Sequence, residues 1–228
     1  MDLSSLEKII EISFENKDFL KESLTHRSYL NENPGWKIPH NERLEFLGDA
    51  VLELVVTEKL YHRFPEYPEG QLTSLRASLV NSQTMALAAK KISLENFMLL
   101  SKGEAKDIGK ARDVILANAM EAVIGAVYLD KGYESSEELI EKFIISPFLD
   151  EIIENGLYRD PKSRLQEIAQ EKFKLTPIYQ VVGEEGPDHK KIFKTGVFFG
   201  DKLIAEGEGL SKQDAEIEAA KNALKDLA

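Results

Sequence analysis

The stretch HNERLEFLGDAVLEL, His40–Leu54, sets three carboxylates into a largely apolar segment. At about 100° per residue, Glu42, Glu45 and Asp49 fall within about 60° of one another on an α-helix, beside a row of leucine and valine side chains. Like charges three and four residues apart repel, and they repel more strongly where water is scarce. The pattern therefore predicts a partly buried helix whose carboxylates need a compensating charge.

A second segment, VILANAMEAVIGAVYLD at 114–130, repeats the arrangement with Asn118 and Glu121 three residues apart. Gly125 falls between them on the helical wheel, where the missing side chain would let another backbone or a ligand come close. Carboxylate and amide oxygens suit hard cations such as Mg²⁺ or Mn²⁺, and a bound ion would offset the repulsion between the carboxylates. We therefore expect two helices to present oxygen ligands to a divalent metal.

A solvated helix face, a di-iron site and a side-chain nucleophile would each require a different sequence pattern. Charges on a helix usually form a solvated face, but the apolar flanks of both segments disfavour full exposure. A carboxylate-bridged di-iron bundle needs Glu-x-x-His pairs, and none of the four histidines has a glutamate three residues before it. Nucleophilic catalysis by a side chain is not indicated, since the chain has no cysteine and no G-x-S-x-G motif.

The composition restricts the compartment and the partners. With 228 residues, 43% of them hydrophobic, the chain can bury the core of one large domain or two smaller ones. The lack of cysteine fits a reducing compartment, so we expect a cytoplasmic protein. No apolar run approaches the ~20 residues that span a bilayer, so no membrane partner is expected. The net charge of −11 argues against a generic nucleic-acid binder.

Hydrophobic periodicity divides the chain into two parts. Up to Glu154, apolar residues recur at three and four spacing, which predicts an all-α region. Its helices are expected near 4–12, 17–31, 41–64, 69–80, 82–91, 94–101, 106–130 and 134–153.

In the tail, apolar and polar residues alternate, which predicts strands at 177–182, 190–199 and 202–209. Helices are expected on either side of them, at 162–173 and 211–227. This α-β-β-β-α order predicts a small antiparallel sheet with both helices on one face. The polar stretch 155–160 would link a domain at 1–154 to a domain at 161–228.

Four stretches stand in the order found in the ribonuclease III family, which they resemble. They are LTHRSY at 24–29, NERLEFLGDAVLEL at 41–54, EGQLTSLRASLV at 69–80 and GEAKDIGKARDVILANAMEAVIGAVYLD at 103–130. The tail resembles a double-stranded-RNA-binding domain through LQEIAQEKF, GPDHKKIF and GEGLSKQDAEIEAAKNAL. Two domain matches in the usual order of the family cover nearly the whole chain from about residue 10 onward.

The resemblance implies an α-helical endonuclease that acts as a homodimer on double-stranded RNA in the processing of rRNA and mRNA precursors. It implies Mg²⁺ as cofactor, no small-molecule cofactor, and products with 5′-phosphate, 3′-hydroxyl and short 3′ overhangs. Matched position by position, the metal site would comprise Glu45, Asp49, Asn118 and Glu121. Asp49 and Glu121 would be catalytic. Glu42 and Glu69 fall on acidic positions that the family associates with the dimer and the active-site valley.

Asn118 departs from the family pattern, which has Asp at this position. The exchange keeps an oxygen of similar reach but removes a negative charge, so affinity for the metal should fall. An alternative is therefore a weakened or silent double-stranded-RNA-binding protein of the same fold. A metal-binding structural bundle with no RNA role is a third possibility, which failure to bind duplex RNA would favour.

In the tail, the resemblance assigns RNA contacts to a helical stripe, a turn and a helix start. These residues are Ser163, Gln166, Glu167, Gln170, His189 and Lys212. The stripe would meet one minor groove, His189 the next, and Lys212 the intervening phosphates. Where the family tends to place further lysines, this chain has Gln213 and Ile217. We therefore expect modest RNA affinity with a shallow salt dependence.

Overall fold

The computed structural model describes residues 3–106, 108–158, 160–186 and 191–227. The chain divides into two units, Met1–Tyr158 and Arg159–Ala228. The predicted fold class, an all-α region followed by a small α-β-β-β-α region, is confirmed. Within the described ranges, no helix combines the length and the apolar character needed to cross a membrane.

The first unit is built from helices that surround one buried helix. They are α1 (Leu3–Ile10), α2 (Lys17–Leu24), α3 (Arg27–Glu32), α4 (Glu42–Arg63), α5 (Glu69–Val80), α6 (Ser82–Lys91), α7 (Lys110–Ile140) and α8 (Ser146–Glu154). The middle of α7, from Ile115 to Val127, is buried at nearly every position, and α2, α4 and α6 pack around it. Such an all-round apolar helix is the expected centre of a helical domain.

Helices α4 and α7 cross at two glycines. A Cβ atom added to Gly48 would lie inside contact distance of the Glu121 carbonyl oxygen, and one added to Gly125 would do the same at the Leu44 carbonyl oxygen. The two backbones therefore touch where any other residue would hold them apart. This close crossing brings the carboxylates of α4 next to those of α7.

Two of the expected helices are placed differently. The helix expected at 17–31 is broken at Thr25, which is extended and forms a parallel bridge with Leu99. The helix expected at 94–101 is wrong, because only the single 3-10 turn Leu94–Asn96 forms there. Leu99 instead exchanges backbone hydrogen bonds with the chain on both sides of Thr25. The backbone pairing of two segments distant in the sequence has thus prevented the helices that the local spacing of apolar residues predicted.

Near the end of the first unit, one bent helix continues where two separate helices were expected. The helix expected at 106–130 and the first part of the helix expected at 134–153 are one element, α7, which bends at Gly132, where φ is 83°. A π-helical turn, Glu141–Ile145, then leads into α8. Only glycine adopts such a backbone angle without strain, so the bend is encoded at a single position.

The second unit has its sheet on one side and its helices on the other. It consists of α9 (Pro161–Phe173), β1 (Pro177–Glu185), β2 (Ile192–Phe199), β3 (Lys202–Gly209) and α10 (Lys212–Leu227). The strands are antiparallel in the order β1-β2-β3. Leu165 and Ala169 of α9 pack with Val197 and Phe199 of β2 and with the alanines of α10 in a separate core.

The glycine crossing makes a prediction about stability. Gly48→Ala should lower the free energy of unfolding by about 1–3 kcal/mol or more, because the new methyl group meets backbone that cannot rotate away. Gly70→Ala is the matched control, since a Cβ there meets nothing within 4 Å and alanine favours the helix. Urea unfolding of both variants measures the difference. Equal stability of the two variants would contradict the close crossing.

Candidate active site and nucleic-acid interface

A cleft of about 450 Å³ lies between the start of α4 and the middle of α7. Three of the predicted site residues, Glu42, Glu45 and Asn118, line it. The remaining polar lining comes from His26, Arg27, Asn41 and Glu104. The cleft therefore combines carboxylates with nitrogen donors, and it draws on segments that are far apart in the sequence.

The carboxylates of the two helices act on one another. Burial raises the pKa of Glu45, and the charges of Glu42 and Asp49 raise it further, while a side-chain hydrogen bond from Asn118 lowers it. Burial, followed by the charges of Asp49 and Glu45, raises the pKa of Glu121 to about 7. Asp49 itself is exposed on α4, one turn beyond Glu45. The close crossing thus places like charges where water cannot fully screen them.

The donor chemistry of this group fits a hard divalent cation. Carboxylate and amide oxygens are the ligands that Mg²⁺ prefers, and a cation would relieve the repulsion that raises the pKa values of Glu45 and Glu121. In the described part of the chain, no three His, Asp or Glu side chains gather closely enough to hold a metal ion by themselves. The side chains would therefore have to draw together around a bound ion.

Four polar residues that line the cleft were not singled out from the sequence: His26, Arg27, Asn41 and Glu104. His26 and Arg27 belong to the stretch LTHRSY, and Glu104 is the second residue of the stretch at 103–130. Burial lowers the pKa of His26, so its imidazole is neutral at pH 7. Arg27 lies 3.6 Å from the Glu42 carboxylate. In the sequence, these residues are marked only by lying in stretches that resemble the family. The approach of His26 and Arg27 to α4 depends on pairing between segments distant in the sequence.

Glu69 is placed in a different cleft. This cleft, of about 480 Å³, lies between α4 and α5 and is lined by Glu69, Arg76 and the rings of Tyr61 and Tyr67 among others. The Glu69 carboxylate accepts a hydrogen bond of 2.9 Å from the Thr73 hydroxyl. Within one chain, the structure therefore does not bring Glu69 into the cleft that contains Glu45.

In the second unit, the predicted stripe of α9 faces solvent. All four of its residues are exposed: Ser163, Gln166, Glu167 and Gln170. Ser163 and Gln166 line a cleft of about 370 Å³ together with Gln213 of α10. Lys212 is exposed at the first position of α10. His189 lies outside the described residues.

The start of α10 is formed by a capping pair. The Ser211 hydroxyl accepts from the Asp214 backbone N–H at 3.1 Å and donates to the Asp214 carboxylate at 2.7 Å. Gln213, where the family favours lysine, is exposed, whereas Ile217 is partly buried. Ser163 and Gln166 of α9 thus share a cleft with Gln213 of α10, and the predicted cation Lys212 directly precedes Gln213.

The raised pKa of Glu121 makes a prediction about metal-free protein. Its folded pKa of about 7 exceeds the ordinary value of 4.5. The carboxyl therefore contributes its stabilisation fully below about pH 4.5 and loses it as the pH rises through about 7. The unfolding free energy should fall by roughly 2 kcal/mol across this range, after allowance for partial exposure. Urea unfolding in EDTA should show this fall in the wild type and not in Glu121→Gln, and parallel profiles would refute it.

Comparison with known proteins agrees with both units. Residues 16–148 match the family model described as ribonuclease-III-like, and residues 161–227 match the double-stranded RNA binding motif. The protein named Ribonuclease 3 from Carboxydothermus hydrogenoformans is 48% identical over 223 residues, which are 98% of this chain and 94% of that protein. Ribonuclease 3 from Nitratiruptor sp. is 45% identical over 226 residues, 99% of this chain and 96% of that protein.

A solved structure resembles the first unit. The nuclease domain of ribonuclease III from Campylobacter jejuni aligns with a TM-score of 0.59 and 41% identity, covering 64% of this chain and 99% of that domain. The resemblance seen in the sequence is thereby confirmed over nearly the full length. The chain belongs to the ribonuclease III family.

Proposed function

We propose that this chain is a Mg²⁺-dependent endoribonuclease that cuts double-stranded RNA as a homodimer. Membership of the family and the second, RNA-binding match make it an endoribonuclease for double-stranded RNA. The metal, the dimer and the product ends, 5′-phosphate and 3′-hydroxyl with short 3′ overhangs, are the proposal. We assign the nuclease to 1–154, a linker to 155–160 and RNA binding to 161–228. Acting on rRNA and mRNA precursors, it would work in the cytoplasm.

The observation that carries the proposal is the electrostatic coupling across the α4–α7 crossing. Glu45 and Glu121 each have a raised pKa, and in both cases the Asp49 carboxylate is among the causes. Several carboxylates that repel one another inside a protein cost free energy of folding unless a cation binds between them. We therefore assign Glu45, Asp49 and Glu121 as metal-holding residues, with Asp49 and Glu121 nearest the reacting phosphate.

The proposed reaction is a metal-dependent hydrolysis that needs no nucleophilic side chain. Bound Mg²⁺ supplies the Lewis acidity that activates a water and neutralises phosphoryl oxygens. Glu45, Asp49, Asn118 and Glu121 would hold that ion. Glu42 adds negative charge to the cleft that Glu45 and Asn118 line. No side-chain nucleophile is needed, in keeping with the absence of cysteine and of a G-x-S-x-G motif from the sequence.

Asn118 bears on how strongly the site binds its metal. Its amide group donates to the Glu45 carboxylate, which leaves the amide oxygen available for an ion or a water. The site then has one negative charge fewer than the family pattern, so it should need more Mg²⁺ while remaining active. The silent RNA-binding protein stays as the competing proposal, since the same exchange would produce it if the amide oxygen turned away.

RNA recognition is proposed for the exposed face of the second unit. The exposed stripe Ser163, Gln166, Glu167 and Gln170 has the spacing of one helical face, and Lys212 begins α10 beside it. Double-stranded RNA is read by shape through such minor-groove and phosphate contacts. His189 is proposed from the resemblance alone, because it lies outside the described residues.

The dimer is proposed from an apolar surface on α4. The Phe46 side chain is 80% exposed and lines a cleft of about 640 Å³. The other apolar lining residues are Phe19, Leu44, Leu47 and Leu129, and the polar ones are Glu22, His40, Glu42 and Arg43. An exposed ring in a partly apolar cleft suits a two-fold contact, in which the ring of each copy enters the cleft of the other. Two sites facing one duplex would give a staggered cut.

Cleavage against Mg²⁺ concentration tests the enzyme proposal. Wild type should cut a long RNA duplex, and Asn118→Asp should reach half its maximal rate at about tenfold less Mg²⁺ because ligand charge tunes affinity. Glu121→Gln should lose about 100-fold or more in rate, by analogy with other charge-stabilising groups. Glu53→Gln, a carboxylate exposed elsewhere on α4, is the control. Duplex binding without any product from wild type at any Mg²⁺ concentration would establish the silent protein instead.

Sedimentation velocity tests the dimer. Phe46→Ser should shift the wild-type dimer to monomer at micromolar concentration, because it removes the exposed ring that fills the partner. Leu210→Ser, at a residue 76% exposed in the second unit, should leave the dimer intact. A wild-type monomer, or a Phe46→Ser dimer of unchanged affinity, would count against the α4 interface.

A further inference from the structure

The cleft between α4 and α7 contains hydrogen-bond donors as well as carboxylates. An RNA strand that enters it brings phosphate oxygens, which carboxylates repel. The Asn41 amide donates to the Ser23 carbonyl at 3.4 Å, and the Asn118 amide donates to Glu45. The Arg27 guanidinium lies beside Glu42. His26 remains as a lining residue whose contribution to the cleft is not explained by these contacts.

The tautomer of His26 follows from its neighbours. The ring Nδ1 accepts the Ser28 backbone N–H at 3.3 Å, which always donates, so Nδ1 cannot carry the proton of a neutral ring. The Ser28 hydroxyl lies 2.8 Å from the same nitrogen and itself accepts from the Ser101 backbone N–H at 3.1 Å. The hydroxyl proton is therefore directed to Nδ1. The proton of the imidazole is on Nε2.

The Nε2–H of His26 is an unused donor. Among the described residues it has no hydrogen-bond partner, and it is not one of the side-chain atoms that are buried without a partner. The Nε2 atom is therefore accessible to solvent, and the residue that carries it lines the cleft. A neutral donor is offered to whatever enters beside Glu42, Glu45 and Asn118.

The position of the ring is fixed by backbone on both sides. The His26 N–H donates to the Leu99 carbonyl at 3.0 Å, and the carbonyl just before it accepts from the Asn41 N–H at 2.9 Å. Ser28, which holds the ring, is itself held by Ser101. Groups ordered in this way before binding lose little conformational entropy when a ligand arrives. The arrangement is that of a preorganised donor.

We propose that His26 is an RNA-positioning residue whose Nε2–H donates to a phosphate oxygen of the strand lying in the cleft. The inference rests on the proposed function, since it needs RNA in this cleft. A neutral imidazole suits this role, because it binds a phosphate oxygen without adding a cation that would compete with a metal for Glu45. Hydrogen bonds to charged acceptors are among the stronger ones in proteins.

Two substitutions separate the donor from the structural role of the ring. In His26→Asn, the side-chain oxygen can accept the Ser28 N–H in place of Nδ1, and asparagine is a favoured N-cap, but the distal donor is lost. In His26→Gln, the terminal amide places a donor near the former Nε2 and the cap is lost. We expect His26→Asn to melt like wild type and His26→Gln to melt at lower temperature.

The readouts are RNA binding and cleavage by the full chain. With Ca²⁺ in place of Mg²⁺ and intact RNA verified on a gel, His26→Asn should bind a long duplex about 10- to 100-fold more weakly than wild type. Single-turnover cleavage in Mg²⁺ at subsaturating RNA should fall by a similar factor. His26→Gln should recover most of both losses at a temperature where it is folded. Recovery by the less stable variant is what a purely structural role would not produce.

Duplexes with a single uncharged methylphosphonate linkage identify the phosphate. One linkage near the cut should weaken binding by wild type and leave binding by His26→Asn unchanged. The inference is overturned if His26→Asn binds and cuts like wild type. It is also overturned if every linkage that weakens binding by wild type weakens binding by His26→Asn as well. In either case the proposed function stands. A wild-type chain that binds without cutting contradicts the proposed function, and the binding comparison still decides the role of His26.

Discussion

Two glycines, Gly48 on α4 and Gly125 on α7, let a pair of helix backbones touch. The crossing sets the distance between everything that the two helices carry near it, above all Glu45 and Asp49 on one side and Glu121 on the other. With side chains at either glycine, the helices would separate and the carboxylates would return to solvent. The raised pKa values of Glu45 and Glu121 record the cost of holding them together.

The proposed metal would relieve that cost. Carboxylates that repel one another inside a protein lower its stability, and a bound divalent cation would offset the repulsion. The rest of the first unit supports the arrangement. The pairing of Leu99 with the chain around Thr25 brings His26 and Arg27 to the cleft lined by Glu42 and Glu45, so carboxylates and nitrogen donors line one cleft.

The sequence predicted the parts of the fold that depend on local pattern. The helix expected at 41–64 is observed at Glu42–Arg63, because a row of buried leucines and valines repeats with the helical period over its whole length. The helix expected at 94–101 failed, because a bridge between Thr25 and Leu99 decides that segment and leaves no local signal. The same holds for the site: charges on one helix face were visible in the sequence, whereas the approach of His26 required a contact more than 70 residues along the chain.

We propose that oxygen ligands from two helices share one divalent ion at the glycine crossing. Anomalous diffraction from crystals of the chain grown with Mn²⁺ measures this directly, since Mn²⁺ scatters anomalously and carbon, nitrogen and oxygen hardly do. We expect a Mn²⁺ peak between the side-chain oxygens of Glu45, Asp49 and Glu121, with the Asn118 oxygen turned toward it or toward a water on it. Saturating Mn²⁺ with no peak between α4 and α7, and the three carboxylates directed apart into solvent, would contradict it.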